Sequence, residues 1–223
     1  PLLSEKHVMK RLAWAKENLD RDWSNVIFTD EASVWGYITI RRSWSTLTNR
    51  LIQWTVKHPV KVHLWGCFSK QGFGALHLFT YDLNAPKMLF TYNLNAPKML
   101  NIYEKCLLPT AEQCFIKKNK DWILQEDNDR KHRSKLCTEW KEQSGIVTLD
   151  WPSQSPDANP IENVWAYLKH KLRGKRVCTL KQLTRQIRLI WRSLPNEYAV
   201  NLVESMPRRC QAIINAGGDW THY

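Results

Sequence analysis

The chain has 223 residues, 43% of them hydrophobic and 24% charged. This ordinary globular balance excludes wholesale disorder and allows one large domain, or one with an appendage. Lys and Arg number 33 against 21 Asp and Glu, a formal net charge of +12, which favours polyanionic partners such as nucleic acid or an acidic membrane surface. No apolar run approaches the roughly 18 residues of a membrane span. The opening PLLSEKHVMKRLAWAK has neither the apolar stretch of a signal peptide nor an initiator Met, and the chain reads as a fragment.

In chain order, residues 4–19 read as a helix: Ser4 is placed to cap it, and Val8, Leu12, Ala15 and Leu19 follow with helical spacing. Val26-Ile27-Phe28 is an apolar β-forming run that ends in acids, so residues 25–32 read as a buried strand with carboxylates at its C-terminal end. Residues 34–40 read as a second strand and 60–69 as a third. Residues 71–74 (QGFG) form a turn, and 75–81 return as a further strand.

An internal repeat follows. Residues 79–89 (FTYDLNAPKML) recur at once as 90–100 (FTYNLNAPKML), with only Asp82 and Asn93 differing. A single tandem copy is a duplication, not a solenoid. Each copy ends in a helix-start signal, Asn as cap with Pro in the first turn. The second copy starts the working helix, and the first makes an extra turn or loop.

Residues 122–126 (WILQE) read as a strand running into Asp127-Asn128-Asp129. Residues 133–143 read as a helix, 146–150 as a strand and 152–160 as a Pro-rich loop. A helix over 161–173 stops at Gly174. Residues 179–193 form another, with Leu180, Leu183, Ile187 and Ile190 on one face. A final helix or pair covers 197–215. Strands interleaved with helices define an α/β layer architecture.

The six cysteines include no C-x-x-C pair and are too sparse for a disulfide framework, so they read as reduced thiols of an intracellular protein. Twelve tryptophans are expected mainly in the core, ahead of base-stacking platforms.

Three acids stand where a strand or helix meets a loop: Asp30, Asp127 and Glu162. The last two have 34 residues between them. Carboxylates from separate element ends converge where open α/β sheets place ligands. Three hard oxygen donors suit Mg²⁺ or Mn²⁺, and two such ions activate a water and stabilise a leaving oxygen in phosphodiester cleavage. Each acid alone is also an ordinary helix cap or strand end.

The segments FTDEAS (28–33), QEDNDRKHRS (125–134) and WPSQSPDANPIENVWAYLK (151–169) together resemble the Tc/mariner superfamily of cut-and-paste DDE transposases. VHLWGCFSKQGFG (62–74), LNAPKMLNIYEKCLLP (94–109) and MPRRCQAIINAGG (206–218) fit it as well, so the likeness runs through essentially the whole chain. It implies a ribonuclease H-like fold, a mixed sheet flanked by helices. It also implies that Asp30, Asp127 and Glu162 are the catalytic and metal-binding triad, holding Mg²⁺ or Mn²⁺, two ions in all. The implied work is DNA cleavage and strand transfer in the nucleus, on transposon ends and target DNA, by a homodimer in a transposition complex. The implied organisation is a linker helix (1–22), the catalytic domain (23–176) and C-terminal helices packed on it (177–223).

This sequence departs from the family pattern at Arg130 and Arg133, where members usually carry Pro and a small polar residue, and in its second NAPKML copy. The family's paired helix-turn-helix region precedes the catalytic domain and is not in this sequence. An inactive or domesticated remnant that only binds DNA or a partner is the alternative function. A cellular ribonuclease H fits the PDANPIENVW loop poorly.

Among the remaining candidates, Glu31 and Asp129 read as solvated or capping acids beside the triad. Asp157 and Asn159 shape the loop before the last acid, and His132 reads as a structural hydrogen-bonding group. The basic runs Arg130, Lys131, Arg133, Lys135 and Lys169, Lys171, Arg173, Lys175, Arg176 are candidate DNA-backbone contacts, although the second also complements a helix C-terminus.

Overall fold

The computed structural model describes residues 3–36, 60–79, 94–173, 175 and 177–223. Its centre is a five-stranded mixed sheet in the order β3-β2-β1-β4-β5. The strands are β1 (Val26–Trp35), β2 (Lys61–Ser69), β3 (Gly72–Phe79), β4 (Ile123–Gln125) and β5 (Val147–Thr148). β2 pairs antiparallel with β1 and with β3, whereas β1–β4 and β4–β5 are parallel.

β1 lies at the middle of this order with both faces covered, which is why its Val26-Ile27-Phe28 run is apolar without alternation. Val26 and Phe28 point into one core with α1 (Glu5–Glu17), α5 (Ile161–Leu172), α6 (Leu180–Arg192), α7 (Asn196–Glu204) and α8 (Met206–Asn215). Ile27 points into the other, with α2 (Ala96–Ile102), α3 (Leu108–Cys114) and α4 (Lys135–Gln143).

The helix signals have local causes. Ser4 accepts from His7 N–H and opens α1. Asn95 accepts from Lys98 N–H and starts α2 with Pro97 in its first turn, so the second copy of the repeat does begin a helix. Thr179 and Gln182 form a reciprocal capping box on α6. The C-terminal segment is a pair of helices that meet at Ser205.

Two expectations are corrected, and one feature is new. β1 does not end at its acids: it continues to Trp35, paired throughout with β2, so residues 34–35 belong to it and not to a new strand. The tight turn shrinks to Lys70-Gln71, because Gly72, at φ 130°, already pairs with Ser69. α2 runs into α3 through a π-helical turn, Tyr103–Leu107, that no local signal announced. Residues 37–40 of the second expected strand, the first repeat copy from residue 80, Gly174 and Arg176 lie outside the described residues.

The tryptophans Trp14, Trp23, Trp65, Trp151, Trp165 and Trp191 are buried, as expected of core aromatics. All six cysteines are free.

Candidate active site

The β1–β4 ladder ends at the pair Phe28–Gln125, where Thr29 Oγ1 donates to Gln125 O at 2.8 Å. Asp30 and Asp127 each lie two residues beyond that pair. Asp30 stays in β1 opposite Gly66, while Asp127 sits in the loop that leaves β4. Two acids thus stand side by side where parallel strands part, the place at which such sheets bind ligands. Glu162, in the first turn of α5, joins them on the wall of a cavity of ≈ 320 Å³. The rest of that wall includes Asn128, Asp129 and the 151–156 loop.

The three acids differ in their surroundings. Trp165 Nε1 donates to Asp30 Oδ2 at 3.2 Å. Burial, then the charges of Glu31 and Glu162, push the Asp30 carboxyl up to about 8. Burial also raises the Glu162 carboxyl, against the pull of Lys169. Asp127 is half exposed, and its Oδ1 accepts from Asp129 N–H at 3.1 Å and lies 3.3 Å from His132 Nε2. Asn128 Nδ2 donates to Trp151 O at 2.6 Å, tying this loop to the loop before α5.

Side chains alternate along a strand, so Glu31 points to the opposite face from Asp30. There it meets Lys131 Nζ at 3.2 Å and His132 Nε2 at 3.5 Å. Burial pushes the Glu31 carboxyl up, but His132 and Lys131 outweigh it and hold the group below its ordinary value. Burial likewise opposes the charge on His132, and Glu31 and Glu126 overcome it, raising its pKa. His132 Nδ1 lies 2.7 Å from the Tyr103 hydroxyl, which donates to Glu126 Oε2 at 2.5 Å, and Lys141 pairs with the other oxygen of Glu126. His132 is thus the structural hydrogen-bonding group expected of it, and it joins Asp127 to a buried polar network.

Asp157 and Asn159 also shape their loop. Asp157 binds Arg11 in a two-pronged pair at 2.8 and 2.7 Å, both side chains buried. The same guanidinium donates to Gly218 O, Gln154 O and Asp219 O. Asn159 Oδ1 accepts from Ile161 N–H at 3.3 Å. Arg209 of α8 reaches Asp157 O at 2.8 Å and Asn163 Oδ1 at 2.5 Å, bracing the residue next to Glu162.

The basic candidates divide. Arg130, Arg133, Lys169, Lys171, Arg173 and Lys175 are exposed. Lys135 is exposed beside Glu139, at 3.6 Å. Lys131 does not join them: it is drawn inward between Glu31 and Asp129, so its charge is largely spent inside the protein.

Sequence reasoning missed Trp165, Tyr103, Glu126, Lys141, Arg11 and Arg209. Two of them had a signal: Trp165 lies three residues after Glu162 and shares its helix face, and Glu126 immediately precedes Asp127. The others reach the site from separate segments. Gly66 was missed as well. A Cβ there would stand 2.7 Å from Trp165 Cη2 and 2.8 Å from Trp191 Cη2, two rings that stack at 5.6 Å. Gly66→Ala is therefore expected to displace the indole that holds Asp30 and to destabilise the fold by about 1–3 kcal/mol, as overpacking does. A thermal melt checks this, and a melting temperature equal to wild type would refute it.

A mixed sheet with acids gathered where β1 and β4 part, faced by a helix that brings a third, defines a ribonuclease H-like polynucleotidyl transferase or nuclease. The sequence profile of DDE superfamily endonucleases matches residues 25–184. The chain belongs to that superfamily, and within it to the Tc1/mariner transposases.

It is 34% identical over 233 aligned positions to the Tcb1 transposase of Caenorhabditis briggsae and to the Tc1 transposase of Caenorhabditis elegans, covering 100% of this chain and 80% of each relative. Among solved structures, the catalytic domain of Mos1 mariner transposase superposes with a TM-score of 0.78 at 14% identity, covering 100% of this chain and 98% of that one. The Mos1 mariner paired end complex with Mn gives 0.83 at 15% identity, but this chain spans only 65% of the Mos1 chain there.

Proposed function

We propose that this chain cuts DNA and transfers the cut strand in cut-and-paste transposition, with Asp30, Asp127 and Glu162 as its catalytic acids. The observation that carries the reading is the gathering of acidic side chains from β1, the loop after β4 and α5 on the wall of one cavity. Asp30, Asp127 and Glu162 line it beside Asp129, and among the described residues no cationic side chain is paired with the most buried of them, Asp30, which accepts from the Trp165 indole N–H. Such a donor set fits a ligand that brings positive charge and accepts hard oxygens. Among the described residues, no three His, Cys, Asp or Glu side chains already encircle one point. The acids are neighbours around a cavity and not a closed cage.

Mg²⁺ or Mn²⁺ held there, two ions in our reading, would supply Lewis acidity, an activated water and stabilisation of the leaving oxygen. The chain's own part is to position. β1 fixes Asp30, Trp165 orients its Oδ2, and Asp129 N–H and His132 orient Oδ1 of Asp127. The braced 151–160 loop forms the facing wall. The substrates we assign are transposon ends and target DNA, handled in the nucleus by a homodimer. Mos1 has been crystallised in a strand transfer complex and with Mn or Mg, which supports the strand-transfer and metal parts of this reading by analogy.

The test is nicking of supercoiled plasmid by the purified chain with Mn²⁺, with Mn²⁺ plus EDTA, and with an RNA–DNA hybrid in parallel. Nicks that require Mn²⁺ and fall on plain duplex DNA are the expected result. Cleavage confined to the RNA strand of the hybrid would replace this reading with a ribonuclease H, and no cleavage of either would leave only a binding remnant.

A further inference from the structure

α6 carries more cations than its own stability explains. Its buried side is Leu183, Thr184, Ile187, Ile190 and Trp191. Its exposed side holds Lys181, Arg185, Arg188 and Arg192. Their spacings of four, three and four residues put them on one stripe, about 16 Å long at 1.5 Å per residue. α6 contains no acid, and none of the four is ion-paired among the described residues. Like charges three and four residues apart repel one another and destabilise a helix. A merely solvated face would be better served by interleaved glutamates. The stripe carries three such repulsive pairs with no internal compensation.

Its placement gives it a purpose. Trp191, next to Arg192, stacks on Trp165, the residue that holds Asp30. Lys175, beyond the far end of α5, donates to Gln186 in the middle of α6 at 2.8 Å. The two helices therefore run in opposite directions. The Arg192 end of the stripe lies by the end of α5 that bears Glu162. The stripe then leads away toward the exposed Lys169, Lys171, Arg173 and Lys175. Cations in a row, mostly the planar, always-charged guanidinium, match a row of phosphates.

We propose that α6 is a DNA-backbone contact surface, with Lys181, Arg185, Arg188 and Arg192 gripping phosphates of the duplex that flanks the bond to be cut. The proposal rests on the reading that this chain handles DNA, and it adds a surface that neither basic run of the sequence includes. Phosphate contacts fix position without reading bases, so the grip acts on any duplex.

The experiment measures affinity for two unrelated 30-base-pair duplexes across a salt series in EDTA, so that no cleavage is needed. Changing Lys181, Arg185, Arg188 and Arg192 together to Ala is expected to lower the log–log salt slope by about 3.6, at about 0.9 for each of four phosphates. Both duplexes should weaken alike, and the melting temperature should hold or rise as the repulsion goes. A variant in which Arg185, Arg188 and Arg192 become Lys should keep the wild-type slope. Should the fourfold variant fail to fold, the pairs Lys181→Ala/Arg185→Ala and Arg188→Ala/Arg192→Ala should each remove about half of that slope. An unchanged slope in folded variants overturns the proposal. A wild-type chain that loses slope with α6 yet never nicks with Mn²⁺ keeps this surface and sinks the catalytic reading. Nicking that survives with an α6-independent slope does the reverse.

Discussion

Asp127→Asn is expected to remove Mn²⁺-dependent nicking almost completely while the protein stays folded. Asp127 is the most exposed of the three acids, so the amide is tolerated sterically and meets water on one side. What the substitution removes is a negative oxygen that a metal site requires. A loss of several kcal/mol of transition-state stabilisation is typical of metal sites, and at 1.36 kcal/mol per decade it corresponds to about a thousandfold or more in rate. A variant that nicks at a tenth of the wild-type rate would remove Asp127 from the catalytic set.

Asp30→Asn is expected to kill the same activity with an opposite effect on stability. The Asp30 carboxyl ionises at about 8 in the folded chain, well above its unfolded value near 4. The folded state therefore binds a proton more tightly than the unfolded one, and its stability falls as pH rises between those two values. Without divalent ions, the Asp30→Asn protein should match wild type near pH 4 and melt at a higher temperature by pH 8. Glu162, also raised, adds to the wild-type loss in the same direction.

The largest loss of stability is expected from Arg11→Ala. Arg11 is fully buried and joins three separate parts of the chain: α1, the 154–157 loop through Gln154 and Asp157, and the C-terminal Gly218 and Asp219. Removing it leaves a buried carboxylate without its partner, which costs about 3–5 kcal/mol. At roughly 2–4 °C per kcal/mol for a chain of this size, the melting temperature should fall by about 6–20 °C.

The pH dependence of this pair has its own sign. Burial raises the Asp157 carboxyl, but Arg11 and Thr221 outweigh it and hold the group below its ordinary value. The pair therefore stabilises fully above about pH 4 and is lost as acid protonates Asp157 at its lowered folded value. The gap between wild type and Arg11→Ala should be widest at neutral pH and close in strong acid. A gap under 1 kcal/mol at pH 7 would mean that water or Arg209 replaces the lost bonds.

Much of this was legible in the sequence where one local cause dominates. The Ser4 and Asn95 caps and the apolar spacing of α6 placed helix starts closely. The three acids were found by their places at element boundaries and by the family likeness. The extension of β1 past Asp30 was not legible, because polar residues end a strand as often as they pass through one, and here β2 supplies partners out to Trp35. Nor was the fate of the basic residues. Neighbours in sequence fan to different faces, so Lys131 turned inward while Arg130 and Arg133 stayed outside. Conversely, the four cations of α6 are scattered in sequence and aligned in space. The Arg11–Asp157 pair spans 146 positions, beyond any local pattern.

The adjacency of Asp30 and Glu31 has a consequence for folding fidelity. In a half-buried strand, a one-residue slip throws the apolar side chains into water, and that penalty keeps the pairing true. β1 lacks this safeguard over Val26-Ile27-Phe28, since both of its faces are dry and a slip exchanges one apolar residue for another. The acids supply it instead. A slip in one direction would put Ala32 before the cations that hold Glu31, and in the other would put Thr29 beside Trp165, so one of the two places loses its carboxylate either way. Lys131 and His132, which touch no substrate in our reading, thereby act as a proofreading contact that selects which of two neighbouring carboxylates faces the cavity.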